Sequence, residues 1–220
     1  MEDWSAHARR EEERYRDGEA RLPGTEDADA RQRQLTRMGN AAGGAGLALL
    51  MQGRSEEAAG WFDRAAARYR ESWSDAPAGS WGRSIGALKA RLLAGDRQGA
   101  EREAAWTLEQ GAAEAPSPIG RYAACLALLT LERWAEARVL ADGLRTGEDF
   151  PADVGDALAM VAAEDPLGYI EAVESVLESF EARDEYLEDI PVADTVLVLQ
   201  ALAARRRMAA ELSSPLLPAA

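Results

Sequence analysis

Few residues in this sequence could carry out chemistry. The chain has a single histidine, His7, and a single cysteine, Cys125, far apart along the sequence. A nucleophilic triad needs a nucleophile beside a histidine base, and a zinc site of Cys and His ligands needs about four of them. One residue of each type supports neither site, and it excludes an internal disulfide. Cys125 lies in an apolar run, which predicts a buried thiol that serves packing.

Carboxylates are abundant instead. The chain has 39 acidic and 25 basic residues, a formal net charge of −14, and Lys89 as its only lysine. Pairs such as Glu188-Asp189 could support acid–base catalysis, and counting alone leaves a carboxylate-dependent enzyme open as an alternative. On so acidic a surface, such pairs are usually solvated charges. We therefore expect a protein that is not an enzyme and that has no metal or cofactor.

A cluster of glycines at positions 39, 43, 44 and 46 superficially suggests a phosphate-binding loop. No strand precedes the cluster, and no Gly-Lys-Ser/Thr follows it, so the pattern of a phosphate loop is absent. Interior glycines weaken a helix by about 1 kcal/mol each relative to alanine. Their presence predicts that another helix approaches this backbone closely.

Apolar spacing predicts helices along the whole chain and no strand. Three segments read as helical hairpins, with turns at Gly53, at Gly95-Asp96 and at Glu132-Arg133. The hairpins are predicted over residues 46–66, 81–110 and 119–144. We predict an all-α fold, a tetratricopeptide-like stack of antiparallel hairpins that forms an α-solenoid.

The second helices of these hairpins align with one another. Superposing them places Ala58, Ala100 and Ala137 at equivalent positions, at intervals of 42 and 37 residues in the sequence. Both intervals exceed the period of about 34 residues that is typical of this repeat class. The repeats are therefore degenerate, and we expect variable loops.

The remaining segments complete one predicted helical-repeat domain over residues 1–220. Residues 1–33 form a charged helical extension, in which Trp4, Ala8 and Tyr15 supply an apolar stripe and Thr25 or Asp27 caps the following helix. Further helices are predicted over residues 152–164, 166–181 and 192–208. Residues 212–220 are expected to form an extended tail.

Charge and hydropathy limit the partners. An acidic surface repels nucleic acid and anionic membranes, and it suits a basic protein partner. The longest apolar runs are far shorter than the roughly 20 residues that span a bilayer. The N-terminus has no signal-peptide pattern, so we expect a cytoplasmic protein.

Surface recognition is the remaining kind of function. In tetratricopeptide-like arrays the first helix of each hairpin lines the concave face. That alignment predicts that the groove is faced by Asn40, Lys89 and Tyr122 and that Trp81 lies at its edge. Tryptophan and tyrosine are favoured anchors of protein interfaces. Two alternatives stay open: the aromatic residues could be ordinary packing residues, and Lys89 could be an internal ion-pair partner.

The C-terminal third carries a resemblance to a known family. Four segments of it resemble the end of the immunity protein 49 family: residues 165–172, 180–187, 191–208 and 210–218. The last of these segments ends in Ser-Pro-Leu-Leu-Pro. A mid-chain segment of the family is similar to Leu92–Asp96 (Leu-Leu-Ala-Gly-Asp). The resemblance implies an all-helical, non-enzymatic protein that binds and neutralises a toxin of interbacterial competition. With the acidic charge, it implies a basic toxin domain as the partner. A general helical-repeat adaptor or assembly scaffold is the alternative, and the oligomeric state is not predicted.

Overall fold

A computed structural model describes residues 2–219, which contain ten α-helices and no strand. The prediction of an all-helical chain is confirmed. The helices are Trp4–Arg21 (α1), Ala28–Leu50 (α2), Ser55–Ser72 (α3), Gly82–Leu93 (α4), Arg97–Glu109 (α5), Pro118–Thr130 (α6), Trp134–Arg145 (α7), Ala152–Ala163 (α8), Pro166–Glu181 (α9) and Asp194–Ala204 (α10).

The chain folds into two compact units. The first unit contains residues 2–96, 184–192 and 215–219, and the second contains residues 97–183 and 193–214. In the first unit α1, α2, α3 and α4 pack consecutively; in the second, α5 to α9 pack consecutively and α10 contacts α8 and α9. The single domain and the solenoid stacking stay predictions.

The three predicted turns share one backbone design. Gly53, Gly95 and Glu132 each have a positive φ, of 71°, 69° and 59°. In each turn the next amide donates to a carbonyl five residues earlier, as Arg54 does to Leu49, which closes the preceding helix in a Schellman motif. The aligned alanines of the following helices, Ala58, Ala100 and Ala137, are all buried.

The glycine cluster lies inside α2, which runs unbroken through all four glycines. A Cβ added at Gly46 would lie 2.7 Å from the ring of Phe62 in α3, and one added at Gly39 would lie 2.9 Å from the ring of Tyr69. A Cβ added at Gly86 of α4 would lie 2.7 Å from the ring of Tyr69. The prediction of close helix contacts is confirmed at Gly39 and Gly46 but not at Gly43, which has no atom within 4 Å of such a Cβ.

The N-terminal helix α1 packs along α2 within the first unit. Its predicted stripe includes the buried residues Ala8 and Tyr15. Asp27, one of the two predicted caps, accepts a hydrogen bond from the Ala30 amide and begins α2. A charged residue of α1, Glu11, is also fully buried, and its burial was not predicted.

The last helix is shorter than predicted. α10 spans Asp194–Ala204 rather than residues 192–208. It ends early because Arg207 adopts a φ of 57° and the Met208 amide turns back to the Ala203 carbonyl. Residues 212–219 contain no helix. Within residues 2–219, none of the helices has the length and hydropathy that a bilayer-crossing segment requires.

Candidate protein-binding loop

The most distinctive local structure of the first unit is the segment between α9 and α10, residues 184–190, which we call the pinned loop. It contains the short 3₁₀ turn Leu187–Asp189. Two consecutive residues, Glu188 and Asp189, have positive φ angles of 56° and 53°. Left-handed backbone costs a residue other than glycine about 1 kcal/mol or more, so surrounding contacts must hold this conformation.

Three side chains from α1 and α2 hold Glu188. Arg14 forms an ion pair with its carboxylate, and Asn40 Nδ2 donates to its Oε1 at 2.9 Å. Arg10 donates to the backbone carbonyl of Glu188 at 2.5 Å. Hydrogen bonds that involve a charged group are worth about 1.5–3 kcal/mol each, enough to offset the backbone cost.

Glu11 positions the two arginines. Its carboxylate is 0% exposed and accepts hydrogen bonds from Arg10 Nε at 2.8 Å and from Arg14 at 2.7 Å. Partial burial alone would lower the pKa of Arg14, but the hydrogen bonds to Glu11 and Glu188 outweigh it and raise this pKa above its ordinary value. Arg14 therefore stays charged, and Glu11 holds both guanidinium groups that bond Glu188.

Packing supplies the other end of the loop. Ile190 is buried, and its side chain lies 3.4 Å from the position that a Cβ on Gly44 would occupy. That distance is an ordinary van der Waals contact, so Ile190 packs directly against α2, and the tighter neighbour of Gly44 is Glu11 of α1, at 3.1 Å from the same position. Polar bonds to Glu188 and packing of Ile190 therefore both hold the loop against α1 and α2.

The pinned loop presents an apolar side chain to solvent. Leu187 is 70% exposed, although large apolar residues usually gain free energy from burial. Asp184, Glu185 and Asp189 are acidic neighbours in the loop. An exposed leucine on a loop that also carries these three carboxylates suits an apolar pocket that is rimmed by basic side chains.

Of the predicted binding residues, Asn40 belongs to this site. It bonds the loop through Nδ2 and accepts a hydrogen bond from the Tyr69 hydroxyl at 2.8 Å through Oδ1. Asn40 therefore positions the loop from within the molecule. Its predicted position in a groove is untested.

Trp81 and Lys89 also lie in the first unit, on or beside α4. Trp81 is 8% exposed and packs against Trp73, with 5.3 Å between the ring centroids. Lys89 is half-buried and interacts with another part of the molecule. These placements agree with the alternatives of packing and internal pairing, and a role in partner binding stays a prediction.

Tyr122 belongs to the second unit, on α6. It is 7% exposed and contacts Phe150, with 5.2 Å between the ring centroids, and burial raises the pKa of its hydroxyl well above the ordinary range. Cys125, on the same helix, is fully buried, as predicted, and burial raises the pKa of its thiol to about 12. A thiol with this pKa carries almost no thiolate at neutral pH, so Cys125 is a poor nucleophile.

The basic run Arg205–Arg207 has a structural role in the second unit. Arg206 donates to the carbonyls of Val161 and Ala162 at the end of α8, at 3.1 and 2.8 Å. Arg205 donates to the Thr130 carbonyl at the end of α6, at 2.6 Å. Both arginines satisfy helix-end carbonyls that lack a partner within their own helix.

Within residues 2–219, no group of three or more His, Cys, Asp or Glu side chains is arranged to hold a metal ion. Comparison of the chain with protein-family models, with curated proteins and with solved structures finds no match.

Proposed function

We propose that the protein binds another protein without catalysing a reaction, and that it is an immunity-type protein that neutralises a toxin by direct contact in the cytoplasm. The observation that carries this proposal is Leu187, which is 70% exposed on a loop whose conformation is fixed by Arg10, Arg14 and Asn40. A binding element that is ordered before association loses less conformational entropy when it binds.

Charge supports a basic toxin as the partner. The net charge of −14 favours fast encounter with a basic surface, because opposite potentials steer diffusion. The acidic residues beside Leu187 add the same preference at the proposed contact. The resemblance of the C-terminal third to the immunity protein 49 family favours a toxin over other basic proteins.

Co-expression tests this function. Toxin domains encoded beside the gene are placed under an inducible promoter in a sensitive host, with and without the protein. We expect wild-type protein to restore growth against one of them and to form a stoichiometric complex with it. Protection at far less than one molecule per toxin would indicate an enzyme instead.

A failure of this assay is informative as well. If no neighbouring toxin is neutralised, the immunity function is wrong. A stable complex with a housekeeping protein in that case would favour the general adaptor.

A further inference from the structure

A small cavity opens in the second unit, between the start of α6, the end of α7 and the segment that follows α7. Its volume is about 220 Å³. Pockets for drug-sized ligands are commonly about 300–1,000 Å³, so this cavity suits one side chain rather than a whole metabolite. Its wall is formed in large part by Pro118, Arg121, Leu144, Glu148, Asp149 and Phe150.

One wall of the cavity is apolar and aromatic. Phe150 is held in place by the buried ring of Tyr122, and Leu144 is itself buried. Tyr122 thus contributes to this cavity by supporting Phe150, rather than by reaching solvent. Cations and planar guanidinium groups are attracted to the faces of aromatic rings, so an aromatic lining residue suits such a group.

The charged wall has more acid than base. Glu148 and Asp149 are exposed, and neither carboxylate has an ion pair or hydrogen bond with any described residue. Arg121, also exposed, has no such partner either, so the three charged groups sum to −1. The sequence reinforces this sign, because residues 146–182 contain ten acidic residues and no basic one.

We propose that this cavity binds an arginine side chain of a partner protein, an inference that rests on the proposed function because a basic toxin would supply the arginine. The guanidinium group lies against Phe150 and pairs with Glu148 and Asp149. Arginine suits the cavity better than lysine, because its planar group stacks on aromatic rings and accommodates two carboxylate contacts.

The test is an NMR titration of the full chain with N-acetylarginine amide. We expect amide shifts centred on residues 147–150. The double variant Glu148→Gln, Asp149→Asn should weaken binding about fivefold, as expected for the loss of two exposed ion pairs. Arg121→Gln should tighten binding, because it removes the only positive charge of the wall.

Two matched controls separate this site from general acidity. N-acetylcitrulline amide has nearly the same shape without the charge and should not shift these amides. The double variant Glu171→Gln, Glu174→Gln removes the same charge from exposed positions of α9 and should leave the affinity unchanged.

Three results would overturn the inference: equal shifts with the citrulline compound, equal weakening by the α9 variant, or binding of N-acetylglutamate amide that depends on Arg121. The probe requires no toxin, so a failure here is distinct from a failure of the growth assay. Growth rescue with no arginine binding would leave the proposed function in place and remove this site.

Discussion

Glu188 is the residue on which the candidate site depends. Its backbone is left-handed, and its side chain and carbonyl receive bonds from Arg10, Arg14 and Asn40. Strained residues persist where neighbouring structure fixes them, and such residues are frequent at binding sites. At the residue scale, the site is therefore a leucine whose position is set by the glutamate that follows it.

Replacing Asn40 tests this anchoring. Asn40→Ala removes the hydrogen bonds to Glu188 and Tyr69, so the loop should open more often. The amides of Asp189 and Ile190, which donate within the loop, should exchange hydrogen about 5- to 30-fold faster, the change expected for a loss of about 1–2 kcal/mol. Exchange is measured by NMR or mass spectrometry.

Gln52→Ala serves as the control for this measurement. Gln52 bonds the carbonyls of Trp4 and Ala48 and has no contact with the loop, so exchange at Asp189 and Ile190 should not change. Unchanged exchange in Asn40→Ala would show that the loop does not depend on Asn40.

Residue-level prediction from sequence succeeded only where the signal was local. The burial of Cys125 followed from its apolar surroundings. Asn40 was selected as a binding residue, but its partner Glu188 lies 148 positions away, and no local pattern indicates such a pairing. The burial of Glu11 had a readable signal, because Glu11 shares the helical spacing of Ala8 and Tyr15.

At the scale of elements, α2 depends on its glycines for close packing. Gly46→Ala places a Cβ 2.7 Å from the Phe62 ring and should lower the free energy of unfolding by about 1–3 kcal/mol. Gly43, in the same helix, has no atom within 4 Å of such a Cβ. Gly43→Ala should therefore raise stability by about 0.5–1 kcal/mol through helix propensity. Chemical denaturation of the two variants measures both changes, and the same sign for both would contradict the packing.

Arg206 connects α10 to the end of α8. Besides its two carbonyl bonds, it pairs with Glu164 and lies 4.6 Å above the Trp134 ring. Arg206→Gln should lower the free energy of unfolding by about 1–3 kcal/mol, since the α8 carbonyls lose a charged donor. The Arg207 side chain is exposed and forms no hydrogen bond or ion pair with the described residues, so Arg207→Gln should change stability by less than about 0.5 kcal/mol. Thermal unfolding of the Arg206→Gln and Arg207→Gln variants distinguishes a structural role of Arg206 from a role at the surface alone.

Elements were predictable where turn chemistry and periodicity agreed. The turns at Gly53, Gly95 and Glu132 followed from the apolar segments on either side of them. The end of α10 was missed because Arg207 is left-handed without being a glycine, so the sequence carries no stop signal there. The pinned loop was missed for the same reason at Glu188 and Asp189.

At the scale of the whole molecule, charge is the property that the sequence determines most directly. The net charge of −14 and the stretch without basic residues over positions 146–182 both favour a basic partner. The sequence does not identify a partner, because the proposed pinned-loop surface is held together by contacts between distant parts of the chain. Leu187 is one of several exposed large apolar side chains, and what distinguishes it is the folded loop around it.

The most direct test is the affinity for the toxin domain found in the growth assay, measured by isothermal titration with two matched variants. Leu187 in the first unit is 70% exposed, and Val139 in the second unit is 72% exposed. Aspartate at either position should therefore leave the fold intact. We predict that Leu187→Asp weakens binding about 30-fold or more, as loss of a central interface residue does, and that Val139→Asp binds like the wild type. Equal affinities for Leu187→Asp and the wild type would contradict the proposed role of the pinned loop.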